Sequence, residues 1–286
     1  MFIVLGIAAT SFALLTLAAL LIYLAVAGIP RLNWDFFTSF PSRRASQAGI
    51  LSAWVGSLLV ILVTAVVSVS LGVSAGIYLE EYAPRNWITN VIEININNLA
   101  GVPSIVYGLL ALGLFVYGLG TGRSILTAGL TLALLILPII VVATREAIRA
   151  VPPSLREAAY GIGCTKWQVT RDHVLPAALP GVLTGVIIGV SRALGETAPL
   201  ITIGALTFIA FLPPSPVTTE FPFISFQWLF ESFTVLPIQA FNWISRPGSD
   251  FHANAAAAGI VLLAITLGLN SLAIYLRYRL RKKLQW

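Results

Sequence analysis

The sequence predicts an all-α polytopic membrane protein of about six spanning helices, and three observations carry that expectation. The chain is 58% hydrophobic and only 10% charged, a balance outside the range of soluble or disordered chains. Mostly apolar runs long enough to cross a bilayer recur at 2–29, 50–79, 99–119, 125–144, 179–211 and 255–276, with no barrel-like alternation. Cationic residues segregate. With both termini cytoplasmic, Arg85, Arg145, Arg149, Arg156, Lys166, Arg171, Arg277, Arg279, Arg281, Lys282 and Lys283 fall inside. Only Arg31, Arg43, Arg44, Arg123 and Arg246 fall outside, as the positive-inside rule requires. The net charge of +6 is thus a topology signal, and the basic tail suits anionic lipid heads and not nucleic acid. One transmembrane domain, 1–286, is expected, with its core at 50–278, a cytoplasmic loop at 151–176 and a long outer loop at 212–254.

The first run has no basic segment before it and is about twice the ~7–15 apolar residues of a secretory leader. The small-x-small triplet at Ala25, Val26 and Ala27 is therefore not read as a cleavage site, and the run stays as a helix. It stops at Pro30, and Trp34, Phe36 and Phe37 suit an interfacial belt. The second run carries Gly56, Gly72 and Gly76, which let membrane helices approach closely, and exits at Glu80 and Glu81. Pro103 interrupts the third run and opens the hydrogen-bond ladder around Leu99. Either freed carbonyls and the Ser104 hydroxyl line a cavity, or the proline is a packing kink. The fourth run contains Pro138 and emerges into the basic cytoplasmic stretch.

Two capping-box spacings, Ser154 to Glu157 and Thr165 to Gln168, write two short helices into loop 151–176, with Gly161 and Gly163 at the break. Leu155, Ala158, Ala159 and Ile162 make an apolar face at helical spacing. Such a face folds back on the bundle or lipid, or docks into a soluble partner, and local pattern leaves both open.

In the fifth run Gly181, Gly185 and Gly189 recur at steps of four, extended by Ala193 and Thr197, so another helix can approach closely. Arg192 and Glu196 flank that stripe. A continuous helix over 180–210 would be roughly 45 Å long and would hold Arg192 near mid-depth. A central arginine costs about 2.5–3.5 kcal/mol on insertion scales and needs a partner. Glu196, four residues on, supplies one. Pro199 cannot bond back to Gly195, so the helix loosens just past the pair. A donor-rich site with a flexible exit suits a passing anion, with Thr197 as a further donor. The same pair also reads as an ion pair that only fixes this helix to its neighbours.

The outer loop carries Pro213, Pro214 and Pro216, then an aromatic piece at 226–243 that is too short and too polar for a seventh span. It is expected in the interface. The sixth run holds Asn254 and Asn270, and no site is assigned to it. Cys164 is the only cysteine, so no internal disulfide or cysteine-cluster metal site is available, and His173 and His252 have no ligand cluster. No phosphate-binding loop, nucleophile elbow or zinc motif is written, so neither a catalytic residue nor a cofactor is assigned and any energy source lies elsewhere. Internal repeats of equal halves, expected of an ion-coupled secondary transporter, are missing.

Glu157, Ala158, Ala159, Gly163 and the Leu175–Pro176 pair resemble the EAA loop of bacterial ABC importer permeases, with a departure at His173 where an aliphatic residue is usual. The resemblance implies a type I importer-permease fold and docking of the loop, through Leu155, Glu157, Ala158, Ala159 and Gly163, into a cytoplasmic ATPase subunit. LAGVPSIVYG at 99–108, REAAY at 156–160 and RALGETAPL at 192–200 look like the PstA-type permease family of the phosphate importer. Gly-Glu-Thr followed by Ala-Pro separates this type from the sister PstC-type permease. This likeness implies a heterodimer with that sister, two copies of the ATPase, an external phosphate-binding protein and a location in the bacterial inner membrane. It implies a substrate path for phosphate along Arg192, Glu196, Thr197 and Ser104. Permeases for sulfate or molybdate are the nearest rivals.

Overall fold

The computed structural model describes residues 2–217, 223 and 225–283, the last four by backbone alone. Among the described residues twelve α-helices follow in order: α1 Phe2–Gly28, α2 Trp34–Thr38, α3 Leu51–Ile77, α4 Trp87–Leu99, α5 Ser104–Ala111, α6 Ile125–Arg149, α7 Pro153–Gly161, α8 Lys166–Gln168, α9 Leu175–Gly195, α10 Ala198–Thr202, α11 Leu236–Ile244 and α12 Ser249–Lys283. Five rods are long and apolar enough to span a membrane, and α4 with the α5 rod makes a sixth if that bent pair is one span. Parts of the expected outer loop, 218–222 and 224, lie outside the described residues, as do the side chains of Arg281, Lys282 and Lys283.

The chain divides into two compact units. The first comprises Met1–Ser57, Leu206–Pro213 and Phe233–Ile265. Its core gathers Phe36, Ala48, Ile50, Leu236, Trp243 and Ala257, and a network around Arg31 pins it. Arg31 donates through Nε to Asn254 Oδ1 at 2.8 Å and through Nη2 to the carbonyls of Ala45, Ser46 and Ala48. Asn254, which sequence reading left idle, is thus buried and paired. Phe36 is a core residue and only Trp34 of the expected belt projects outward, because Asn33 caps α2 and turns Phe36 onto Trp243. In the aromatic piece one side of α11 is buried, at Leu236, Ile238, Gln239 and Trp243, while Phe241 and Ile244 stay exposed. Gln239 is fully buried there and, with its amide turned to satisfy both ends, donates to Thr207 O and accepts from Trp243 Nε1.

The second unit comprises Leu58–Ala205, Pro214–Ser232 and Thr266–Trp286, and α6 is its axis. A Cβ on Gly72 would approach Ile140 to 2.8 Å and one on Gly76 would approach Thr144 to 2.6 Å, so α3 lies directly against α6. On another face of α6 a Cβ on Gly181 would sit 2.7 Å from Ala147, and one on Gly185 would collide with Ala143. The glycine stripe therefore does what its spacing predicts: it brings the α9 backbone against the alanines of α6.

Two expected rods are broken. The run at 99–119 is no kinked helix: α4 and the rod begun by α5 meet at 107° across Ala100 to Pro103. The run at 179–211 ends as a helix at Gly195 and restarts only for the five residues of α10. Pro103 and Pro199 each remove a backbone donor, and in each case glycine lies nearby, so the ladder is interrupted where it is weakest.

Candidate functional site

Both broken rods come together. A side chain on Gly108 would collide with Thr202 and meet Pro199 Cα at 2.8 Å, so α5 and α10 touch backbone to backbone. The two stretches LAGVPSIVYG and RALGETAPL, 84 residues apart at their nearest ends, are thereby one locus (108 to 192). Tyr107 is buried there, and its hydroxyl donates to Leu99 O at 2.8 Å. The carbonyl expected to be free is therefore occupied. Ser104 opens α5 and is half-buried.

Arg192 sits in the last turn of α9, and its Nε donates to Glu196 Oε1 at 3.2 Å. The pairing matches the four-residue spacing, but the geometry does not: Glu196 follows the final helical residue with extended backbone, φ −75° and ψ 126°. The ion pair thus straddles a helix end and does not lie stacked on a helix face. Its arginine side chain is 43% exposed and its carboxylate 18% exposed, and one bond joins them. Thr197 stands at the start of α10 without a side-chain cap bond, which leaves its hydroxyl free for another partner. A half-exposed cation, a carboxylate bonded to it once and a hydroxyl donor are the kinds of group that recognise an oxyanion.

Sequence reading missed the seam beside this locus. Ser191 Oγ lies between Ile187 O and Asn270 Oδ1, and Arg277 Nη1 donates to Thr184 Oγ1 at 2.7 Å. Ser191 and Thr184 are seven apart on α9, as are Asn270 and Arg277 on α12. That matched spacing was a signal available in the sequence.

The loop at 151–176 divides its expected apolar face in two. Ala159 is buried and Leu155 half-buried against Ile148, Val151, Val169 and Val174, whereas Ala158 and Ile162 face out beside Glu157, Tyr160 and Trp167. Leu155 and Ala159 lie on one line of the helix and anchor it, while its other side stays open. The capping boxes also divide. Thr165 and Gln168 form one in full. The Ser154 box is absent, because Pro153 occupies the first helical position and Pro152 the cap, which places Ser154 inside the helix. The second loop helix is not separate either: α8 runs through the π turn at Val169–Val174 into α9 as one rod.

Gly163 has φ +87°, and a Cβ there would meet nothing within 4 Å. The amides of Gly163 and Cys164 bond back to Tyr160 O and Ala159 O, the paired bonds of a glycine-stopped helix. The turn therefore presents the exposed end of α7 with open space around it.

Rods of spanning length packed through glycines, an arginine paired at a break between two helices, and a short helix with an open face define a transport permease. Residues 68–285 match the family of binding-protein-dependent transport system inner membrane components, and the chain belongs to that family. It is 31% identical to the probable ABC transporter permease protein YqgI of Bacillus subtilis, over 94% of this chain and 91% of that one. It is 33% identical to the phosphate transport system permease protein PstA of Yersinia pestis, over 95% and 87%. In structure it resembles the inward-facing MetNI methionine ABC transporter, with TM-score 0.58 and 18% identity over 81% of this chain and 94% of that one. The all-α importer-permease fold and the permease role expected from the sequence stand.

Proposed function

We propose that this chain is one permease of an ATP-driven phosphate importer, pairing with a sister permease of the PstC type to enclose the path. The observation that carries the cargo is the arginine locus at 192–200, in a chain one-third identical over nearly its whole length to a phosphate permease. Arg192 binds phosphate oxygens through its planar fork and remains charged when desolvated, while Glu196 holds it between substrates. Thr197 and Ser104 add hydroxyl donors on the two adjoining segments. Binding has to stay weak enough for release, which one long arginine bond and open surroundings favour.

Glu157, Ala158 and Gly163 meet the ATPase, which hydrolyses ATP on a separate subunit present in two copies. Leu155 and Ala159 set the height of α7 on the bundle. Both termini lie in the cytoplasm of a bacterial cell with the bundle in its inner membrane, and an external phosphate-binding protein delivers the substrate. Uptake of labelled phosphate in cells lacking their own high-affinity importer tests the cargo. Uptake that resists excess sulfate is expected, and uptake abolished by sulfate or molybdate assigns the path to another oxyanion.

A further inference from the structure

Arg156 lies immediately before the outward-facing Glu157 yet turns the opposite way. Its Nε and Nη2 donate to Glu81 Oε1 at 3.2 and 2.8 Å, its Nη1 to Val151 O at 2.8 Å and its Nη2 to Ile148 O at 2.9 Å. The Glu81 side chain is only 9% exposed and that of Arg156 22%. The Ile148 carbonyl lies in the last turn of α6 and the Val151 carbonyl just past its cap residue, Ala150. One guanidinium therefore ties three elements: α7, the end of α6 and the π turn Tyr78–Tyr82 that continues α3. Neighbouring side chains on that turn diverge by roughly a quarter-turn, so Glu80 reaches elsewhere. It takes Arg149 through both oxygens, at 3.1 and 2.9 Å, while Arg145 approaches it at 3.4 Å. The carboxylates at 80 and 81 thus link α7 on one side to the shaft of α6 on the other.

We propose that Arg156 and Glu81 form the joint through which displacement of α7 reaches α3, making Arg156 a positioning residue for transport. This rests on the reading that α7 docks on the ATPase. A rigid, charge-assisted, multiply bonded contact transmits motion where an apolar contact alone would slide. The contact is not needed to present Glu157, Ala158 or Gly163, which Ala159 and Leu155 already hold in place.

The test uses the full permease co-purified with its sister permease and ATPase, with backbone hydrogen exchange followed before and after a non-hydrolysable ATP analogue. In the wild type, exchange is expected to change together at 153–161 and 78–82. In Arg156→Ala the change is confined to 153–161, the ATPase stays bound, and phosphate taken up per ATP hydrolysed falls about tenfold. Glu81→Gln, which leaves both carbonyl bonds of Arg156 in place, gives the same pattern more weakly. Exchange at 78–82 that still responds in Arg156→Ala overturns the inference. So does loss of the ATPase from both variants, which would make the contact a support for docking alone. A wild type that responds at 153–161 and not at 78–82 overturns this inference and leaves docking intact. No response at either segment removes the docking reading and the joint with it.

Discussion

Two ionic clusters of the second unit are built from the same residue types and held in different ways. Around the end of α6, Arg145 is nearly buried, with its side chain 8% exposed, and reaches Glu93 at 2.5 Å while Glu80 takes Arg149 through two oxygens. At the end of α9, Arg192 makes one bond to Glu196 and keeps 43% of its side chain exposed. A buried charge commits its partners, because removing one leaves the other desolvated without compensation. A half-open pair is nearly neutral in energy and can exchange partners. The difference separates a cluster braced by several bonds from a pair joined by one, and on the proposed function it is the latter that exchanges its partner for phosphate.

Substitutions that remove one partner test the contrast directly. Arg145→Ala is expected to cost about 2–3 kcal/mol, at or below the low end for a buried pair, since it removes the partner of a Glu93 that is itself one-third exposed and weakens the hold on Glu80. A large fall in the unfolding midpoint of the detergent-solubilised protein is the measurement, and an unchanged midpoint would erase the distinction between the clusters. Gly185→Leu pushes α9 off Ala143 and should destabilise by about 1–3 kcal/mol, the range of overpacked cores, seen as a lower midpoint with fewer assembled complexes. Gly163→Asp meets no atom and strains only a left-handed backbone that aspartate tolerates, at about 1 kcal/mol or a little more. The fold is expected to persist while ATPase pull-down is lost, and retained pull-down counts against docking at this turn. Arg192→Gln is expected to change stability by less than about 1 kcal/mol, as for other exposed pairs, yet abolish phosphate uptake in an assembled complex. Should it instead destabilise as much as Arg145→Ala with uptake intact, Arg192 belongs with the structural cluster.

Local periodicity reached far into this fold. Apolar length marked the spanning rods, the steps of four at Gly181, Gly185 and Gly189 marked a face for close helix approach, and the four-residue interval marked the Arg192–Glu196 pair. It erred where a proline competes with a hydrophobic run, because run length measures oil-solubility and says nothing of a missing amide. The rods at 99–119 and 179–211 were accordingly drawn too straight. It also erred at Ser154, where the proline pair moved the start of α7 two residues earlier and left Ser154 within the first turn.

By itself, then, the sequence determined the membrane class, the surface loop and the arginine with its glutamate, since each depends on neighbours within a turn or two of one helix. Tertiary structure alone decided that Glu81 meets Arg156 across 75 residues, that Glu93 meets Arg145 across 52, and that α5 lies on α10. Those partnerships depend on which helices pack side by side. Packing is set by small residues on facing helices taken jointly, so periodicity along one helix marks a face for close approach without naming the helix that meets it.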